Sequence, residues 1–425
     1  MGAWLDALYL VSLLVEVAVL FYLEYKTWGT YYTPLNFLML PYVVVLLITV
    51  MLAGNALDFV GFYYPSIFIW NVGLLLFALP SLLIGTLLQC KELPFRSKGV
   101  DGKFPSVLVP LLVVLSILFI WHLKSIINSS AESLGSEEFG EEFSGGGLWG
   151  HLRLMTLPLM MMCIYYVSKK NWWLWPVIIV FLLVSALNQV KGWVIIPVLA
   201  AMSMRIYFGK TRLSIKLLSY VVLGAFVVFF ASYALSILVV QERGVSDEFM
   251  EFIFKHFFHY LTSGTLGWSM DVQLGIPDDG GSFDNIIAQV VNLCKSFTGD
   301  KELVYPINPL YYNTGTTLTN VRTIFGTLYI NSSWIVFAIY TLFLSTCMYL
   351  MKVLMTRRNN IYLSTIYFFF CAMLFMGWFD FYFSGIIVLE FPVIVTAFWV
   401  LEKIVCKKKR AADEFCGDTN QRLQS

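Results

Sequence analysis

Residues 65–89, PSIFIWNVGLLLFALPSLLIGTLLQ, run the thickness of a membrane without one charged side chain. A helix needs about 20 mostly apolar residues to cross the hydrocarbon, and only helices and closed barrels satisfy their backbone there. A barrel strand would be half as long and would alternate polar with apolar positions. The run is therefore expected to be a transmembrane helix, and it is the template for reading the rest.

Working outward, runs of the same kind are expected at about 3–23, 36–54, 105–124, 148–168, 172–188, 192–208, 217–240, 334–354, 361–380 and 384–404, eleven spans in all. Composition agrees: 59% hydrophobic, 17% aromatic and 13% charged residues are far from the roughly 25% charge of a soluble domain. The expected fold class is an all-α polytopic membrane protein. The first run lacks a basic leader and a small-residue cleavage site, so a retained span is expected rather than a signal peptide.

Lysine and arginine in short loops favour the cytoplasm. Lys91, Arg96, Lys98 and Lys103, then Lys169 and Lys170, then Lys210, Arg212 and Lys216, then Arg357 and Arg358, and finally Lys407–Arg410 all fall on one side of an eleven-span alternation. This orientation puts the N-terminus outside and the C-terminus inside. The organisation expected is a bundle of eight spans over 1–240, a large external loop over 241–333, three spans over 334–405, and a basic cytoplasmic tail over 406–425.

A net charge of +1 with basic residues set singly between apolar runs gives no nucleic-acid footprint. The seven cysteines show no CxxC pair and no Cys/His cluster, so neither a disulfide framework nor zinc is expected, and nothing points to a cofactor. Nucleotide-phosphate, serine-hydrolase and zinc-protease motifs do not occur in the sequence.

The loop over 241–333 is far longer than the usual connection of about 4–6 residues, and its aromatic content argues for order. Ser246 can cap an amphipathic surface helix over 247–261, with Asp247, Glu251, Lys255 and His259 spaced by four. A second is expected over 285–295, beyond a turn at Pro277–Ser282. The acids Asp271, Asp278, Asp279 and Asp284 lack calcium-loop spacing and read as solvated turn residues.

Positive charges on the outer side oppose the usual bias. Lys191 can snorkel to headgroups or bind an anion; Arg243 can pair with Glu242 or a lipid phosphate, or hold a pyrophosphate; Arg322 sits in a run, Gly315–Thr323, that includes Asn320 and is rich in hydroxyl and backbone donors, and is either a solvated loop end or part of a site. His256 and His259, neutral near pH 7, can pack at an interface or take a proton from a hydroxyl. His122, His151 and Arg153 are weaker neighbours of the same outer face.

Lys191-Gly192 opening a span, the loop run His259-Tyr260-Leu261-Thr262-Ser263-Gly264, and Thr319 to Tyr329 together resemble the Wzy-type oligosaccharide repeat unit polymerases of O-antigen and capsule. The resemblance implies a membrane-embedded, metal-independent glycosyltransferase at the outer face of a bacterial inner membrane. Its substrate would be a polyprenyl-pyrophosphate-linked oligosaccharide, and the bilayer, a flippase and a chain-length regulator would be its partners. Under that resemblance Lys191, Arg243, Arg322, Asn320 and Thr323 would bind the pyrophosphate, Arg322 and Arg243 would stabilise its departure, and His256 or His259 would be the base. An O-antigen ligase shares this plan, and a flippase or transporter is the alternative of another class.

Overall fold

The computed structural model describes residues 2–54, 58–88, 104–129, 137–144, 147–187, 192–217, 219, 223–224, 226, 230, 247–275, 282–315, 317–358 and 360–422. Helices dominate: α1 (Gly2–Trp28), α2 (Pro34–Leu52), α3 (Ile67–Leu88), α4 (Val109–Ser129), α5 (Glu137–Ser144), α6 (Leu148–Tyr166), α7 (Leu174–Leu187), α8 (Gly192–Tyr207), α9 (Asp247–Gln273), α10 (Phe283–Ile286), α11 (Ala288–Thr298), α12 (Ile324–Ile330), α13 (Trp334–Arg358), α14 (Ile361–Phe375) and α15 (Ile387–Arg422). The described strands are two residues each, β1 (Tyr312–Asn313) and β2 (Leu318–Thr319), paired antiparallel with Tyr312 opposite Thr319.

Among the described residues, six helical stretches are long and apolar enough to cross a bilayer: Trp4–Trp28, Pro34–Leu52, Tyr64–Leu88, Ser106–Ser129, Trp334–Arg358 and Ile361–Trp378. The chain is thus an all-α multi-pass membrane protein. Helix α1 shows why. Trp4, Leu8, Val11, Val15, Val19 and Tyr22 recur every three or four positions on an exposed face, while Leu13, Val17, Leu20 and Glu24 are buried. An apolar face of that extent suits acyl chains rather than water.

Other expected spans take different lengths. Leu174–Leu187 and Gly192–Tyr207 have 14 and 16 residues, or about 21 and 24 Å of rise against roughly 30 Å of hydrocarbon. Ile387–Arg422 overruns the expected end of the last span by carrying its helix through the basic segment. The expected span over 217–240 lies largely outside the described residues.

The centre of the bundle is α14, buried along nearly its whole length and packed on α2, α8, α13 and α15. Helix α3 packs on α1 and α13, and α6 on α7 and α8. Local signals set the helix starts: Thr33 accepts from the Asn36 amide ahead of Pro34, and Asn360 Oδ1 accepts from the Tyr362 amide at 2.8 Å.

In the large loop, the amphipathic helix expected over 247–261 continues to Gln273. The residues that extend it, Thr262-Ser263-Gly264-Thr265-Leu266-Gly267-Trp268-Ser269, are mostly small and buried, so α9 leaves the surface and enters the bundle against α2 and α12. Lys255 pins its first half, reaching Asp58 at 2.8 Å and Glu251 at 3.1 Å. The helix expected over 285–295 is split at Ile287 into α10 and α11, and Gly299 ends α11 in the left-handed conformation (φ +77°).

Candidate functional site

The buried half of α9 approaches the chain just before α12 because Gly267 has no side chain. A Cβ there would lie 2.7 Å from Arg322 Nη1 and 2.8 Å from the Val321 carbonyl. In the space so opened, Arg322 is 1% exposed and Asp271, one turn further along α9, is fully buried. The guanidinium grips the carboxylate through Nε and Nη2, the second at 3.2 Å from Oδ1. Nη1 donates to the Val321 carbonyl at 3.0 Å and Nη2 to that of Leu310 at 3.4 Å, while the Tyr312 ring covers the guanidinium carbon at 4.6 Å.

Two expectations change here. Asp271 is not a solvated turn residue but the buried counter-ion of Arg322, because α9 runs twelve residues past its amphipathic half. Arg322 is not at a loop end open to anions; its donors are engaged and the 310–319 segment roofs it. Burial pushes the Asp271 carboxyl up while the Arg322 charge pulls it down, and burial next to Asp271 pushes the Tyr312 phenol up to about 12.

The same hairpin holds His259. Its Nδ1 is 3.0 Å from Thr314 Oγ1, and the Thr314 hydroxyl also reaches the Thr317 carbonyl at 2.9 Å. Burial, and then His256 with its ring 5.9 Å away, hold the His259 imidazole down at about 4. The hairpin is tied to the bundle at Val60, whose amide donates to the Thr314 carbonyl at 3.0 Å, and at Gly315, packed on the Asp58 carbonyl with φ +98°.

Asn320 donates to the Tyr311 hydroxyl at 3.1 Å on the hairpin's exposed side. Thr323 is buried rather than facing a ligand: its hydroxyl accepts from the Gly326 amide and from Trp70 Nε1, each at 3.1 Å, and so caps α12. Lys191 and Arg243 lie outside the described residues, as do Asp278 and Asp279. Asp284 is exposed behind Ser282, which caps α10.

His122 stacks on Trp149 at 3.8 Å, and His151 pairs with Glu390 at 2.9 Å. Arg153 borders a separate small pocket with Ser185 and Trp193.

Sequence reading missed three contributors, Asp271, Tyr312 and Asp380. Asp380 follows α14, half-buried in the loop Met376–Ser384, with its Oδ1 accepting from the Phe381 amide at 2.7 Å. Burial raises its carboxyl to about 6, although the Arg322 charge acts against this. The small-residue run 262–269 was the available signal for Asp271, since helical spacing carries its buried face on to position 271.

A guanidinium and carboxylate sealed beneath the largest loop of a multi-pass helical bundle define the class: an all-α membrane protein with a polar centre at one end. The chain belongs to the family of unknown function DUF6337, which matches residues 58–408 and therefore the whole of this centre. No curated protein and no solved structure matches the chain.

Proposed function

We propose that this protein joins polyprenyl-pyrophosphate-linked oligosaccharide repeat units into a surface polysaccharide at the outer face of a bacterial inner membrane. In this reading the chain crosses the bilayer eleven times, with its N-terminus outside and the 241–333 loop over an outward cavity. The shorter helices α7 and α8 would count among the spans by thinning the local bilayer or by packing beside longer neighbours.

The observation that carries the reading is Arg322, a rigid guanidinium held in a water-poor pocket where the loop meets the bundle. Such a fork matches the oxygens of a leaving pyrophosphate and is worth most where water is excluded. In the closed arrangement Asp271 occupies it. The pyrophosphate would have to displace Asp271 and the roof made by Leu310 and Tyr312, so donor binding and hairpin opening are one event. Lys191 and Arg243 would add charge from neighbouring segments. His259, bonded to Thr314 of the hairpin, serves the roof better than it serves proton transfer.

Deleting the gene tests the reading. Loss of a polymerase leaves single repeat units on the surface lipid, whereas loss of a ligase leaves long chains uncoupled; a strain whose glycan is unchanged would end the proposal. One observation favours the transport alternative: Glu24 and Lys352 are both buried among helices at the other end of the bundle, and buried ionisable side chains are what transport paths use. A deletion strain that accumulates repeat units on the cytoplasmic leaflet would support it.

A further inference from the structure

We propose that Asp380 is the proton acceptor of the transfer step, a role that rests on the polymerase reading. The loop that carries it is the meeting point of the outer face. Gly264 of α9 lies so close that a Cβ would collide with the Phe379 carbonyl and stand 2.7 Å from that of Trp378. Gly377 packs on Ile324, the second residue after Arg322. Tyr382, two residues beyond Asp380, meets Gly192, which follows Lys191 in the chain. Helix α9, the chain just after Arg322 and the start of α8 thus converge on this loop.

The two carboxylates near Arg322 differ in what they have left to do. Asp271 is fully buried and spends both oxygens on the guanidinium. Asp380 is half-buried, and among the described residues its carboxylate accepts one hydrogen bond, from its neighbour's amide. One oxygen is therefore available to a substrate hydroxyl. The groups around it are the Arg322 charge, Tyr382 on its own loop, and from α9 Tyr260, stacked on Phe379 at 6.2 Å, with His256 and His259 further along. A carboxyl held near 6 is ionised at neutral pH yet takes a proton more readily than an ordinary aspartate, as a general base requires.

In the step, the acceptor sugar's hydroxyl oxygen forms the new bond to the anomeric carbon of the donor chain. The bond from that carbon to the pyrophosphate oxygen breaks, and its electron pair leaves with the polyprenyl pyrophosphate next to Arg322. The hydroxyl proton passes to Asp380 and from there to water.

The experiment uses full-length protein in proteoliposomes supplied with lipid-linked repeat units extracted from the deletion strain. Asp380→Asn is expected to lower kcat by about 100-fold or more with KM changed less than threefold, a range typical of a lost general base. Asp380→Glu should restore part of the rate. The wild-type rate should fall as pH drops through about 6, and the residual Asp380→Asn activity should lack that limb. A kcat for Asp380→Asn within threefold of wild type, while Arg322→Ala is inactive, overturns the role of Asp380 and leaves the polymerase standing. Wild-type protein that does not lengthen the units, together with an unchanged surface glycan in the deletion strain, overturns both. Should Asp380→Asn fail to fold, an unshifted acid limb in Asp380→Glu overturns the proposal.

Discussion

Among the described residues, two buried constellations bring a cation near a carboxylate, and they are built differently. At the loop end, Arg322 and Asp271 touch directly, and their roof is a hairpin of two-residue strands tied down by Val60, Thr314 and Gly315. At the other end, Glu24 of α1 accepts from Ser81 of α3 and from the Tyr349 hydroxyl of α13 at 3.0 Å, and Trp28 donates to Ser81 at 2.9 Å. Lys352 donates to the Tyr32 carbonyl at 3.1 Å, with the Trp28 ring 5.4 Å and the Tyr367 ring 5.9 Å away. Helices supply most of the second cluster and a loop roofs the first. Lifting the roof of the first breaks a few hairpin hydrogen bonds and leaves the helices in place, whereas opening the second means separating α1, α3 and α13. A site that must admit a substrate belongs in the first kind of place, and a clamp belongs in the second.

Arg322→Ala should have the largest effect. It strands the Asp271 carboxylate, at a cost of about 3–5 kcal/mol for a broken buried pair, and it should abolish polymer extension. The double variant Arg322→Ala/Asp271→Ala should regain most of the thermal stability and none of the activity. Recovery of chain length in the double variant would show that the pair is only structural.

Glu24→Ala is expected to cost a comparable 3–5 kcal/mol, because it leaves the Ser81 and Tyr349 hydroxyls without their acceptor and takes the nearby opposite charge from Lys352. Here the surviving folded protein should make glycan of unchanged length, read on a gel after matching protein levels. Shortened chains at equal protein would erase the contrast between the two clusters and favour a path through the bundle.

How much of this contrast was legible beforehand depends on the kind of signal. Long apolar runs such as 65–89 declare their helices without help from neighbours. Arg322 stood out as a cation in a donor-rich stretch on the outer side. Its partner did not, since Asp271 joins it only through the path of α9, and four scattered acids look alike until a helix buries one of them. Glu24 sits just past the expected end of the first span, and Lys352 just inside the end of another. Each passes for an interfacial charge until α1, α3 and α13 are packed together. Asp380 is the last residue of the span expected over 361–380, where nothing local separates an interfacial aspartate from the half-buried one of the loop Met376–Ser384.

Acidification should discriminate between the two ends on a smaller scale. Burial and His256 hold His259 at about 4 in the folded chain, against roughly 6.5 for an unfolded histidine. Below about 6.5 the unfolded chain takes up a proton that the folded chain refuses, so stability is full above that value and declines as pH falls towards 4. The loss approaches about 2–3 kcal/mol from this one group. Thermal melts should show it in wild type and show it reduced in His259→Gln, with the hairpin loosening first in hydrogen exchange. An identical slope in both proteins would remove His259 from the roof.

The smallest effect expected is that of Thr323→Ala, which separates a helix cap from a ligand at the loop end. Its hydroxyl accepts from the Gly326 amide and from Trp70, whose ring stacks on Tyr42 at 3.3 Å and meets Phe325 edge-on at 4.8 Å. Losing a cap costs about 1 kcal/mol, and Thr323→Ser, which keeps the oxygen, should cost less. Because this oxygen points into the α3 packing and not towards Arg322's partners, KM for lipid-linked units should stay within twofold in both variants. A KM raised tenfold in Thr323→Ala but not in Thr323→Ser would mean that the opened hairpin turns this hydroxyl towards the substrate, making α12's cap part of the same movement that frees Arg322.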